Sequence, residues 1–133
     1  MPDIEGQTLE GEPFRLADLR GRPVIVNFWG PSCVPCRDEF PLFKAKREQY
    51  AADGLEIVGV LMDDPPEPAR AFAAEFGAEW PTVIDEGEAA RDAYLVAARP
   101  MSFFVDPDGV LQSVQVGWLR DEDFDRKYAQ IAP

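Results

Sequence analysis

Two cysteines spaced C-x-x-C, Cys33 and Cys36, stand directly behind a near-continuous apolar run from Val24 to Phe28. Such a run reads as a strand buried on both faces, and the breakers Gly30, Pro31 and Ser32 end it. A helix is predicted from Cys33 to about Ala52, where Phe40, Phe43, Ala45 and Tyr50 recur at loosely helical spacing and Gly54 stops it. Pro41 predicts a kink inside that helix. The cysteines therefore sit where a buried strand hands over to a helix N-terminus, and that junction demands a covered sheet.

The rest of the chain supplies one. Leu55 to Met62 reads as a second buried strand, followed by an acidic, Pro-rich loop from Asp63 to Pro68. Ala69, Phe72, Ala73 and Phe76 mark a helix ended by Gly77, and Pro81 leads into a short strand at Thr82 to Ile84. A short helix follows from about Ala89 to Leu95. Met101 to Val105 and Val110 to Val116 flank the turn residues Asp106, Pro107, Asp108 and Gly109, which predicts a hairpin, and a final helix runs from about Asp121 to Ile131. From Gly6 to Gly21 a short hairpin and turn are expected to cover a core edge. The order implies right-handed parallel crossovers first and an antiparallel edge last, in an α/β fold with a mixed sheet between helices. With 133 residues, no repeat and no linker, residues 1–133 are expected to form one domain.

Composition narrows the function. A formal charge of -12 and the absence of His argue against nucleic acid, whose phosphates are neutralised by Lys and Arg. No stretch approaches the ~18 consecutive apolar residues of a membrane span. Met1 is followed by Pro2, Asp3 and Glu5 rather than a basic and then apolar signal segment. Nine Phe and three Trp point to a packed core.

At a helix N-terminus, free backbone N–H groups and the positive end of the helix dipole favour a thiolate, which makes Cys33 the candidate nucleophile and Cys36 the resolving thiol. Cys33 would attack a disulfide to form a mixed disulfide, and Cys36 would then attack Cys33 and release the reduced substrate. Pro35 fixes the backbone between them. A zinc site wants four Cys or His ligands and finds two here, so no metal is expected. A disulfide closing so short a loop would constrain the unfolded chain little, which argues against a purely structural bridge.

The segment Trp29-Gly30-Pro31-Ser32-Cys33-Val34-Pro35-Cys36-Arg37-Asp38-Glu39-Phe40-Pro41 resembles the W-x-x-x-C-x-P-C-x-x-E-x-P signature of TlpA/ResA-like thioredoxins. Pro100-Met101-Ser102-Phe103-Phe104-Val105-Asp106-Pro107-Asp108-Gly109 is similar to the same family's cis-proline strand and the turn after it. The resemblance covers essentially the whole chain. It implies a thioredoxin-like fold with an N-terminal hairpin extension and a thiol-disulfide oxidoreductase without cofactor. Its partners would be a protein disulfide substrate and a thiol electron-donor protein, with the chain acting as a monomer. It further implies a reductant working outside the cytoplasm, in the periplasm or on the outer face of the cytoplasmic membrane, in a pathway such as cytochrome c maturation; the cytoplasm is the alternative compartment.

By the same resemblance Pro100 is the cis-proline beside the disulfide, against an ordinary trans proline opening a strand. Trp29 is expected as a platform beside the sulfurs, and Arg99 lies next to them. Asp64 falls where the family carries an acidic residue that could relay a proton to or from Cys36, the alternative being a solvated loop acid. Glu39 matches the family's acidic position one turn after Cys36, or else is a surface charge on an exposed helix face.

Departures from the pattern bear on the sulfurs. Asn27 stands where ordinary thioredoxins bury an Asp, and it cannot take up a proton as a carboxylate does. Ser32 replaces a common Trp. Arg99 either points at Cys33, stabilising its thiolate, or faces outward toward substrate. Two other functions compete: a thiol peroxidase of peroxiredoxin type, distinguished by peroxide consumption, and a non-catalytic binding module in which Trp29, Trp118 and Phe residues form a docking surface.

Overall fold

The computed structural model describes residues 1–133. Seven strands form one mixed sheet in the order β2-β1-β5-β4-β3-β6-β7. They are β1 (Glu5–Thr8), β2 (Pro13–Arg15), β3 (Val24–Trp29), β4 (Glu56–Leu61), β5 (Thr82–Ile84), β6 (Met101–Val105) and β7 (Leu111–Val116). The helices are α1 (Val34–Gln49), α2 (Pro66–Glu75), α3 (Ala89–Ala93) and α4 (Asp121–Tyr128). Strands β3, β4 and β5 run parallel, while β6 pairs antiparallel with β3 and β7 antiparallel with β6. This is a thioredoxin-like fold.

The N-terminal hairpin does more than cover an edge. β1 pairs antiparallel with β5, so β1 and β2 extend the sheet itself. Without this pairing β5 would leave its outer backbone groups unpartnered.

All six residues of β3 are buried, and the period-2 alternation of the strands divides them between two cores. Ile25, Trp29, Ile57 and Leu61 face α1, α2 and α4. Val24, Val26, Phe28, Val58 and Val60 face α3 and the short 3-10 turn at Leu16–Leu19. Helix α2 begins at Pro66, ahead of the first apolar residue of its stripe, because proline at a first helical position forfeits no hydrogen bond. α1 continues through Pro41. α4 ends at Tyr128, and Ile131 reaches the core from the turn beyond it. No helix is long and apolar enough to cross a membrane.

Candidate active site

β3 ends at Trp29, and the chain turns so that the Cys33 N–H donates to the Gly30 carbonyl at 3.1 Å. Cys33 is the N-cap of α1, and its Sγ accepts the Cys36 N–H at 3.3 Å. The sulfur thus occupies the place that a capping oxygen usually fills, facing the free N–H groups of the first turn. Cys33 and Cys36 are joined as a disulfide, with Cα atoms 5.3 Å apart. Cys33 retains 8% exposure and Cys36 none, so only the first sulfur can meet a partner. Val34 and Pro35 between them are exposed.

The Arg99–Pro100 bond is cis. Phe28 pairs with Met101, so buried Pro100 falls at the end of β3 from which the Cys33 turn departs. The Gly117 N–H donates to its carbonyl at 2.9 Å. Trp118, the next residue, is 48% exposed and lies under the Arg120 guanidinium at 5.2 Å.

Glu39 corrects the surface-charge alternative: it is fully buried. Residues Cys36, Glu39, Phe40 and Phe43 form an i, i+3, i+4, i+7 stripe along the covered face of α1, and a carboxylate within that stripe has no route to water. Its Oε2 accepts the Leu119 N–H at 2.8 Å, and its Oε1 accepts from Asn27 Nδ2 at 3.3 Å. Asn27 also donates to Ser102 Oγ at 3.0 Å. Burial pushes the Glu39 carboxyl up to about 7, and the Leu119 and Asn27 hydrogen bonds only partly oppose it. The chain thus keeps a buried titratable carboxyl, carried by the helix where the strand has Asn27.

Arg99 does not face outward: its side chain is 17% exposed. It is folded onto the turn that precedes Cys33: Nη1 donates to the Met62 carbonyl and to Asp64 Oδ2 at 2.7 Å, and Nη2 donates to Ser32 Oγ at 2.6 Å. Asp64 is not a solvated loop acid. It accepts the Ser32 N–H at 3.0 Å and the Ser32 hydroxyl at 2.8 Å. Burial alone would raise its pKa, but the Ser32 hydrogen bonds and the Arg99 charge outweigh that and hold it below the ordinary carboxylate value. Asp64 is therefore ionised near neutrality, whereas Glu39 titrates there.

Trp29 shares one buried cluster with Cys33 and Cys36. It is 0% exposed, packed at 4.7 Å from the Phe40 ring and 5.5 Å from the Phe72 ring, and its Nε1 donates to Thr82 Oγ1 at 3.2 Å. The inward side of β3 at this register leads into the core, so Trp29 supports the cysteine turn from beneath and cannot touch substrate. The roles of Asn27, Ser102 and Leu119 as partners of Glu39 carry no sequence signal beyond that helical stripe. Ser32 shows itself only as a departure from the family pattern.

The AhpC/TSA family matches residues 1–114. The thiol-disulfide oxidoreductase ResA of Geobacillus kaustophilus is 35% identical over 132 residues, covering 99% of this chain and 76% of the relative. A thiol:disulfide interchange protein DsbE from Chlorobium tepidum superposes with a TM-score of 0.87 at 28% identity, over 96% of this chain and 92% of its own. A thioredoxin-family thiol:disulfide interchange protein from Chlorobium tepidum TLS gives a TM-score of 0.87 at 30% identity, over 98% and 93%.

Proposed function

Because the chain belongs to the AhpC/TSA family and, within it, to the ResA-like thiol-disulfide oxidoreductases, we propose that it reduces protein disulfides outside the cytoplasm, in a pathway such as cytochrome c maturation. The observation that carries this reading is the Cys33–Cys36 disulfide at the N-terminus of α1, with one sulfur reachable and the other enclosed.

In the reduced protein the Cys33 thiolate attacks one sulfur of a substrate disulfide, forming a mixed disulfide and releasing the other sulfur as a thiolate. Cys36 loses its proton and attacks Cys33 Sγ, which breaks the mixed bond and frees the second substrate thiol. Two electrons pass to the substrate and the internal disulfide forms. A thiol donor protein reverses these steps to restore the dithiol. Glu39, one turn along α1 from Cys36 and titrating near neutrality, is the group suited to take up the Cys36 proton. Ionised Asp64 serves charge rather than proton transfer. The cis Pro100, at the end of β3 from which the Cys33 turn departs, is the position suited to border the approach of substrate.

The test is trapping. Cys36→Ser, offered a protein disulfide, is expected to accumulate a mixed disulfide through Cys33, while Cys33→Ser accumulates none. Trapping through Cys36 instead would overturn the assigned order. Peroxide consumption by the wild type without a disulfide substrate would favour a thiol peroxidase.

A further inference from the structure

We infer that Asp64 and Arg99, joined through Ser32, form a charge-balanced clamp in which each partner offsets the other's effect on the ionisation of Cys33. This rests on the reading of Cys33 as the attacking thiol and adds two positioning residues that act on it without touching substrate.

The clamp ties together three separate segments. Arg99 comes from the residue before Pro100, Asp64 from the loop after β4, and Ser32 from the turn that delivers Cys33. Ser32 Oγ accepts from Arg99 Nη2 at 2.6 Å and donates to Asp64 Oδ1 at 2.8 Å, so the hydroxyl closes a ring of charge-assisted hydrogen bonds. The pair is largely shielded, with side-chain exposures of 17% for Arg99 and 11% for Asp64. It lies across Gly30, and this explains why that position has no side chain: a Cβ there would land on Arg99 Nη1 and Asp64 Oδ2. Sequence, packing and hydrogen bonding agree that the ion pair is built into the cysteine turn.

Its electrostatic effect follows from sign. Ser32 is bonded to Cys33, so both charges bear on the sulfur from a partly desolvated position. The Arg99 guanidinium favours the Cys33 thiolate and the Asp64 carboxylate opposes it. Together they nearly cancel and leave the helix N-terminus as the main influence. Removing one partner exposes the other. Other charged groups on the elements around the dithiol include Glu39, buried on the Cys36 face of α1, exposed Asp38 and Arg37, whose guanidinium lies over the Phe72 ring at 5.2 Å, and Arg120, whose guanidinium lies over the Trp118 ring at 5.2 Å. None of them belongs to the clamp, and all stay unchanged across the variants below.

The experiment uses the reduced full chain and follows alkylation of Cys33 by iodoacetamide against pH for the wild type, Asp64→Asn, Arg99→Gln, the double variant and Arg99→Lys. Asp64→Asn is expected to lower the Cys33 pKa and Arg99→Gln to raise it, each by about half a unit or more, which is about threefold in thiolate below the pKa. The double variant should return to within about twofold of the wild type, and Arg99→Lys should stay near it because the charge is kept. A merely structural clamp predicts that both single variants move the same way, and that result, or no movement in either, would overturn the inference. If wild-type reactivity lies at Cys36, the attacking-thiol reading fails too, an outcome that the wild-type profile alone distinguishes.

Discussion

At Glu39, burial and two hydrogen bonds compete, and burial prevails. With its carboxyl at about 7 against an ordinary 4.5, the folded protein holds a proton that the unfolded chain has already lost between those values. The contribution to stability is therefore full below about pH 4.5 and is lost as pH rises through about 7, amounting to about 3 kcal/mol. Urea unfolding at pH 4.5 and pH 8 should show this loss in the wild type, and Glu39→Gln should remove it. The same variant should erase the inflection near pH 7 in the release of substrate from the mixed disulfide; an unchanged inflection would place the proton elsewhere. Glu39 also marks where residue-by-residue reading stops. Its match to the family pattern is legible, but its burial is not, because a charge in a helix reads as a polar face until the stripe from Cys36 to Phe43 is followed in register. Arg99 and Asp64 are 35 residues apart in sequence, and no local pattern announces that they meet.

Helix α1 shows what is legible at the scale of an element. An apolar run, three breakers and a C-x-x-C pair define its start because each signal is local: strand burial, turn chemistry and helix capping act within a few residues. What fastens its far end is not local. Lys46 is 4% exposed, and its Nζ reaches Asp121 Oδ1 at 2.6 Å and Asp125 Oδ1 at 2.9 Å on α4. Lys46→Met fills the same space without the charge. Since both carboxylates remain substantially in water, it should cost only about 1–2 kcal/mol in chemical denaturation. At the other end of α1, Gly30→Ala should be more damaging. Its Cβ must displace the Arg99–Asp64 pair, and the loss is expected to exceed about 2 kcal/mol and to shift Cys33 reactivity as well.

Across the whole molecule, the parallel crossovers and the final antiparallel hairpin are legible because hydrophobic period and turn residues dictate them. The place of the N-terminal hairpin is not, since β1 pairs with β5 through residues more than 70 positions away. The formal charge of -12 implies net self-repulsion in the folded state. Raising salt from about 10 mM to about 150 mM, which shortens the screening length from ~30 Å to ~8 Å, should raise the melting temperature. A fall would show that specific ion pairs such as Lys46–Asp125 outweigh the global repulsion. Direction of electron flow is the property that all these parts serve. It is tested most directly by equilibrating the protein in graded redox buffers and counting free thiols by mass. A potential near or below about -250 mV, with Cys33 and Cys36 cycling together, is the expected result for a disulfide reductant. A value near about -120 mV, or a pair that never cycles, would contradict it.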